Sequence, residues 1–102
     1  MPRFQIFFEP DSVDDILTSY RWGLETWGEV AAEKWLRELY RCIYDRLTVF
    51  PRSCPVAPES RELDREVRQL VFLRYRIVFE IDDHMVIVLR VDGPFTGLTL
   101  EE

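Results

Sequence analysis

Apolar positions in the first fifty residues follow two rhythms. Phe4, Ile6 and Phe8 alternate, which predicts a strand over 3–8 that Pro10 ends. The spacing then changes to threes and fours, and Val13, Ile16, Leu17, Tyr20, Leu24 and Trp27 share one helical face. Asp11 or Ser12 is placed to cap this helix, with Asp14 and Asp15 in the first turn, where the helix dipole favours anions. Gly28 supplies the stop. A second stripe, Ala32, Leu36, Leu39, Ile43 and Leu47, predicts a helix over 29–49, with charged side chains such as Glu33, Arg37 and Arg41 opposite. The break between the helices is short, so they form an antiparallel hairpin.

Phe50 and Pro51 end the second helix, and Pro51, Pro55 and Pro58 make 51–65 a loop. Period-two runs then predict strands over 66–72, 75–81 and 85–91, joined by turns short enough to make them antiparallel neighbours. The expected fold is α+β in two layers: an N-terminal strand, a helical hairpin, then a three-stranded antiparallel meander in one sheet. Leu17, Leu39 and Phe79 are expected in the core. The other sheet face is expected to be open, with Val78, Val86 and Val88 on it. Residues 91–102 read as a loose tail.

A length of 102 residues fits one domain spanning 1–102. An apolar share of 47% beside 31% charged residues excludes a disordered chain. No apolar run approaches the roughly 18 residues that a membrane span needs, and the run within 1–10 is too short for a signal peptide. The expected location is the cytoplasm, where Cys42 and Cys54 read as unpaired thiols. Their spacing matches no zinc pattern and one histidine cannot complete a site, so neither a metal nor a cofactor is expected.

The net charge of −6 argues against a general nucleic-acid binder. Twelve of the 13 basic residues are Arg, which binds carboxylate and phosphate in a planar fork. Residues 9–49 are net −4, whereas 61–91 balance six acids against six bases. Arg68, Arg76 and Arg90 fall inside the predicted strands and Arg74 at the first hairpin turn. Arg68 is placed with Leu70 and Phe72, Arg76 with Val78 and Glu80, and Arg90 with Val86 and Val88. These four are the candidate target- or phosphate-binding residues. Pairing with Glu66 and Glu80 across strands is the competing structural reading. His84 lies in a turn, which suits a solvated side chain better than a triad histidine. Of Trp22, Trp27 and Trp35, any exposed one would mark a partner surface.

The order of these segments resembles the RelE/ParE toxin superfamily. The resemblance rests on Phe50 with Pro51, CPVAPE at 54–59, EVRQL at 66–70, YRIVF at 75–79 and VIVLRV at 86–91, and on the opening strand and hairpin. It covers about residues 3–91. It implies the toxin of a bacterial type II toxin–antitoxin pair, neutralised by a cognate antitoxin. ParE-like members poison DNA gyrase; RelE-like members cleave messenger RNA on the ribosome. RelE-like nucleases carry basic residues, and often Tyr or His, after the last strand. Here 92–102 offers no Arg, Lys, His or Tyr. Arg cannot replace a general base because it stays protonated. The expectation is therefore a toxin that binds a target such as gyrase. The alternatives are a ribosome-dependent endoribonuclease using Arg68, Arg76 and Arg90, and a non-toxic interaction module. The hairpin also offers a surface for a homodimer.

Overall fold

The structure is a computed structural model, and it describes residues 3–93. In chain order the elements are β1 (Gln5–Phe8), α1 (Pro10–Trp27), α2 (Glu29–Leu47), a 3-10 turn (Pro51–Ser53), α3 (Glu59–Leu63), β2 (Arg68–Phe72), β3 (Tyr75–Asp82) and β4 (Met85–Asp92). The α+β layering is as expected. The sheet has four strands in the order β1-β4-β3-β2. The three C-terminal strands form the antiparallel meander. β1 joins it parallel to β4, pairing Ile6 with Val86 and Phe8 with Val88. The helical hairpin lies between β1 and the meander in sequence, which provides the long connection that a parallel pair requires.

The core forms between the hairpin and one sheet face. Leu39, Ile43 and Leu47 of α2 are fully buried with Ile77, Phe79, Val86 and Val88. Leu39 and Phe79 therefore sit where expected. Leu17 does not: it is 42% exposed, and the buried line of α1 is Ser12, Ile16, Ser19 and Gly23. Small residues on that line let α1 lie close to its neighbours. A Cβ on Gly23 would come within 2.9 Å of the Trp27 ring, so glycine makes room for that indole. α1 also begins earlier than expected. Pro10 occupies its first turn, Glu9 is the N-cap, and the buried Ser12 hydroxyl donates 2.7 Å back to the Glu9 carbonyl. Gly28 separates the helices at φ +93°, a conformation that favours glycine.

The outer sheet face is partly covered, contrary to expectation. The prolines of 51–65 start helices here instead of only breaking them: Pro51 opens the 3-10 turn and Pro58 caps α3. Segment 55–67 forms a strap. Ala57 N–H donates to the Val67 carbonyl at 2.8 Å and Gln69 N–H to the Pro55 carbonyl at 3.0 Å. The Ser60 hydroxyl donates to the Val67 carbonyl and accepts from Val67 N–H. Beneath the strap, Ala57, Val67 and Val78 form a second buried cluster with Leu89 packed against it.

Val86 and Val88 lie in the main core, not on the outer face. A register shift explains the rest of β4: Phe79 pairs with Val88 and Val78 with Arg90, so Leu89 is the extra residue of a bulge. Beyond it the alternation resets. Val91 faces the core, and Arg90 no longer shares the face of Val86 and Val88. Val91 and Asp92, expected to begin a loose tail over 91–102, belong to β4 instead, paired with Ile77 and Arg76, and the rest of that tail from 94 onward lies outside the described residues.

Candidate functional site

Arg68, Arg74, Arg76 and Arg90 occupy four separate places. Arg68 opens β2 and turns toward the preceding loop. Its Nη1 donates to the Cys54 carbonyl at 2.6 Å and its Nη2 to Glu66 at 3.0 Å. It thus ties the 3-10 turn to the sheet. Arg90 sits where β1 has left the edge of β4. Its Nε donates to Asp15 Oδ2 at 2.8 Å, and the same oxygen accepts Val91 N–H at 2.8 Å. One α1 carboxylate therefore closes the exposed β4 edge, and this hydrogen bond pushes the Arg90 pKa up.

Arg76 is at the centre of the outer face, held by three partners. Both Glu59 oxygens accept from its guanidinium, which also donates to Gln69 Oε1 at 2.7 Å and to Asp92 Oδ2 at 3.1 Å. The Glu59 hydrogen bond raises the Arg76 pKa, and the same bond holds the Glu59 carboxyl below its ordinary range. Glu59 is the first residue of α3, so this fork closes the strap over the sheet. Arg65 adds a link to Glu80 at 3.1 Å. Of the two cross-strand partners expected, Glu80 is taken by Arg65, and Glu66 reaches Arg68 within the same segment.

Arg74 is different. It is exposed at the β2–β3 turn, whose Leu73 adopts φ +55° and is 69% exposed. Trp22, Trp27, Trp35, Leu73, Arg74 and Tyr75 surround a cavity of about 260 Å³. Trp22 and Trp27 meet edge to face with ring centres 5.2 Å apart, and Trp35 lies 5.0 Å from Tyr75. Trp35 is buried, whereas Trp22 and Trp27 are part-exposed. Burial pushes the Tyr75 hydroxyl up, and a hydrogen bond with buried Ser19 opposes this. The exposed tryptophans expected to mark a partner surface are therefore these two.

Sequence reasoning found the arginines but not their partners. Glu59, Asp92 and Asp15 lie 17, 16 and 75 residues away from theirs, and no local pattern signals such pairs. The bowl of aromatic side chains was foreshadowed only by the tryptophans at the hairpin turn.

Among the described residues no acid–base pair is assembled beside a cation. His84 is in the β3–β4 turn with its side chain 71% exposed. It lies at the far end of β3 from Arg76, about 20 Å away at the usual rise per strand residue. Cys42 and Cys54 are free, and burial pushes both thiols up, away from the reactive thiolate. Among the described residues no cluster of His, Cys, Asp or Glu could hold a metal ion, and no helix is long and apolar enough to cross a membrane.

A chain of the chromosomal ParDE toxin–antitoxin system from P. aeruginosa has the same fold. The TM-score is 0.72 at 15% sequence identity, over 88% of this chain and 95% of that one. No curated protein sequence matches the chain. The family model for the ParE toxin of the parDE type II toxin–antitoxin system matches residues 6–93. With nearly all of the described chain inside that match, the protein belongs to the ParE toxin family of type II toxin–antitoxin systems.

Proposed function

We propose that this toxin acts in the bacterial cytoplasm by binding a protein target, DNA gyrase, and that a cognate antitoxin neutralises it. Family membership supports the toxin role. One observation carries the choice of binding over RNA cleavage: the three arginines within the strands are each engaged by groups of the same chain. Arg76 meets Glu59, Gln69 and Asp92; Arg68 meets Cys54 and Glu66; Arg90 meets Asp15. Phosphodiester cleavage needs a base for the 2′-hydroxyl, an acid for the leaving oxygen and uncommitted positive charge on the phosphate. Asp92 and Glu59 flanking Arg76 would also repel a phosphate. Arg74 is the cation best placed for a partner, because it stands exposed beside apolar rings.

The test is tightly controlled induction of the chain in a bacterial host, with and without its antitoxin, while transcript ends are mapped. The expected result is growth arrest that the antitoxin relieves, with DNA damage and no new transcript ends. Arrest accompanied by new ends in translated messages would establish a nuclease instead. Normal growth with soluble, folded chain in the lysate would leave only the non-toxic module.

A further inference from the structure

The turn between β3 and β4 stands at the opposite end of β3 from Arg74, and a cavity of about 430 Å³ opens beside it. Phe4, Val49, Phe50 and Pro51 form its apolar walls, with Arg52 and His84 on the polar side. That volume is within the usual range for ligand sites. Hydrogen bonds set the walls in place. Phe4 N–H donates to the Thr48 carbonyl at 2.9 Å, Phe50 N–H to the Arg46 carbonyl at 3.0 Å, and Gln5 N–H to the His84 carbonyl at 2.9 Å. Ser53 Oγ donates to the Phe50 carbonyl at 2.7 Å, and Arg68 Nη1 donates to the Arg52 carbonyl at 3.3 Å. The seat is therefore formed before a ligand arrives, which lowers the cost of binding.

This frame presents both apolar surface and an unspent cation. Phe50 is 66% exposed and Val49 42% exposed on the fixed turn beside Phe4. The Arg52 guanidinium lies over the Phe4 ring, 5.4 Å from its centre, and among the described residues no carboxylate pairs with it. Arg65, Arg68, Arg76 and Arg90, by contrast, all have carboxylate partners. Asp83 is the acidic residue of the rim, and its carboxylate lies 3.8 Å from His84 Nε2. Contact with an aromatic face leaves a guanidinium free to bind a carboxylate through its N–H fork.

We propose that this cavity docks an extended segment of a partner protein in which an aromatic or branched apolar side chain lies two residues from a Glu or Asp. The apolar side chain enters between Phe4 and Phe50, and the carboxylate meets Arg52. Alternate side chains of an extended segment face the same way at roughly 7 Å. That spacing suits a cation set 5.4 Å from the Phe4 ring centre. The site serves such a segment whichever target the toxin acts on.

His84 is the one histidine of the chain, so its ring protons report on this wall in the NMR spectrum of the full-length protein. The peptides acetyl-Phe-Ala-Glu-amide and acetyl-Phe-Ala-Gln-amide are titrated at fixed pH and low salt into the parent, Arg52→Gln and Phe50→Ser, and circular dichroism checks each fold. The expected result is a saturable shift of the His84 signals, with the Glu peptide binding about tenfold tighter than the Gln peptide. Arg52→Gln should abolish that preference, and Phe50→Ser should weaken both peptides. No saturable shift in the parent, or equal binding of the two peptides, would overturn the proposal, and both outcomes are read without any variant. So would free N-acetylphenylalanine binding as tightly as the Glu peptide, because the ligand would then be a small aromatic acid and not a protein segment.

Discussion

The inner face of the sheet presents Phe79, Val86 and Val88 to a helical hairpin, whereas the outer face presents Val78 and Leu89 to the strap, an irregular crossing over 55–67 with one short helix. On the inner side the cover is two helices of 18 and 19 residues, held mainly by apolar contact, with Asp15 of α1 adding hydrogen bonds to Arg90 and Val91 at its margin. On the outer side the buried cluster is small, and Ser60, Glu59 and Arg76 supply hydrogen bonds and charge instead. Apolar area carries no titrating group and no charge pair for salt to screen. A fork between part-exposed charges is sensitive to both. The two covers of the same sheet should therefore respond differently to substitution and to acid.

The largest expected effect is on the inner face. Phe79→Ala removes a fully buried ring and should cost about 3–5 kcal/mol in chemical denaturation. A loss under about 1 kcal/mol would show that the inner face does not dominate stability. Arg76→Ala comes next. It leaves Glu59 and Asp92 as neighbouring carboxylates without their shared cation, and on the order of 1 kcal/mol is expected given their part exposure. Hydrogen exchange should show the loss concentrated at the amides of Ala57, Val67 and Gln69, which the strap protects.

Acid sharpens the same contrast. Arg76 holds the Glu59 carboxyl below its ordinary 4.5, so the folded state binds fewer protons there than the unfolded state. The resulting stabilisation is complete above that ordinary value and is lost as pH falls through the lower folded one. Glu59→Gln should lower stability at neutral pH and reduce the further loss on acidification below 4.5. Identical pH curves for the variant and the parent would show that the fork does not hold the strap. The smallest effect is expected from Leu17→Ala, within about 0.5 kcal/mol, because Leu17 stands on the exposed side of α1.

Much of the fold was legible because alternation and helical spacing mark strands and helices directly. The stripe of α2 and the alternation of β3 lead to Leu39 and Phe79 without ambiguity. The buried face of α1 is only partly legible, because beside Ile16 it is made of Ser12, Ser19 and Gly23, which an apolar pattern does not mark. Arg90 was misplaced because a one-residue bulge at Leu89 resets the faces of a strand without interrupting its apolar run. The strap was hidden because its prolines read equally well as breakers and as helix starts. For the candidate site, residue type singled out the arginines. Whether each is free or engaged depends on carboxylates that only the tertiary fold brings near.

The most direct test of action by binding uses purified chain in two reactions run side by side, gyrase supercoiling of plasmid DNA and translation of a defined message on ribosomes. The account predicts that supercoiling stops with accumulation of cleaved DNA while the message stays whole. Uninhibited gyrase together with cleavage of the message would contradict it.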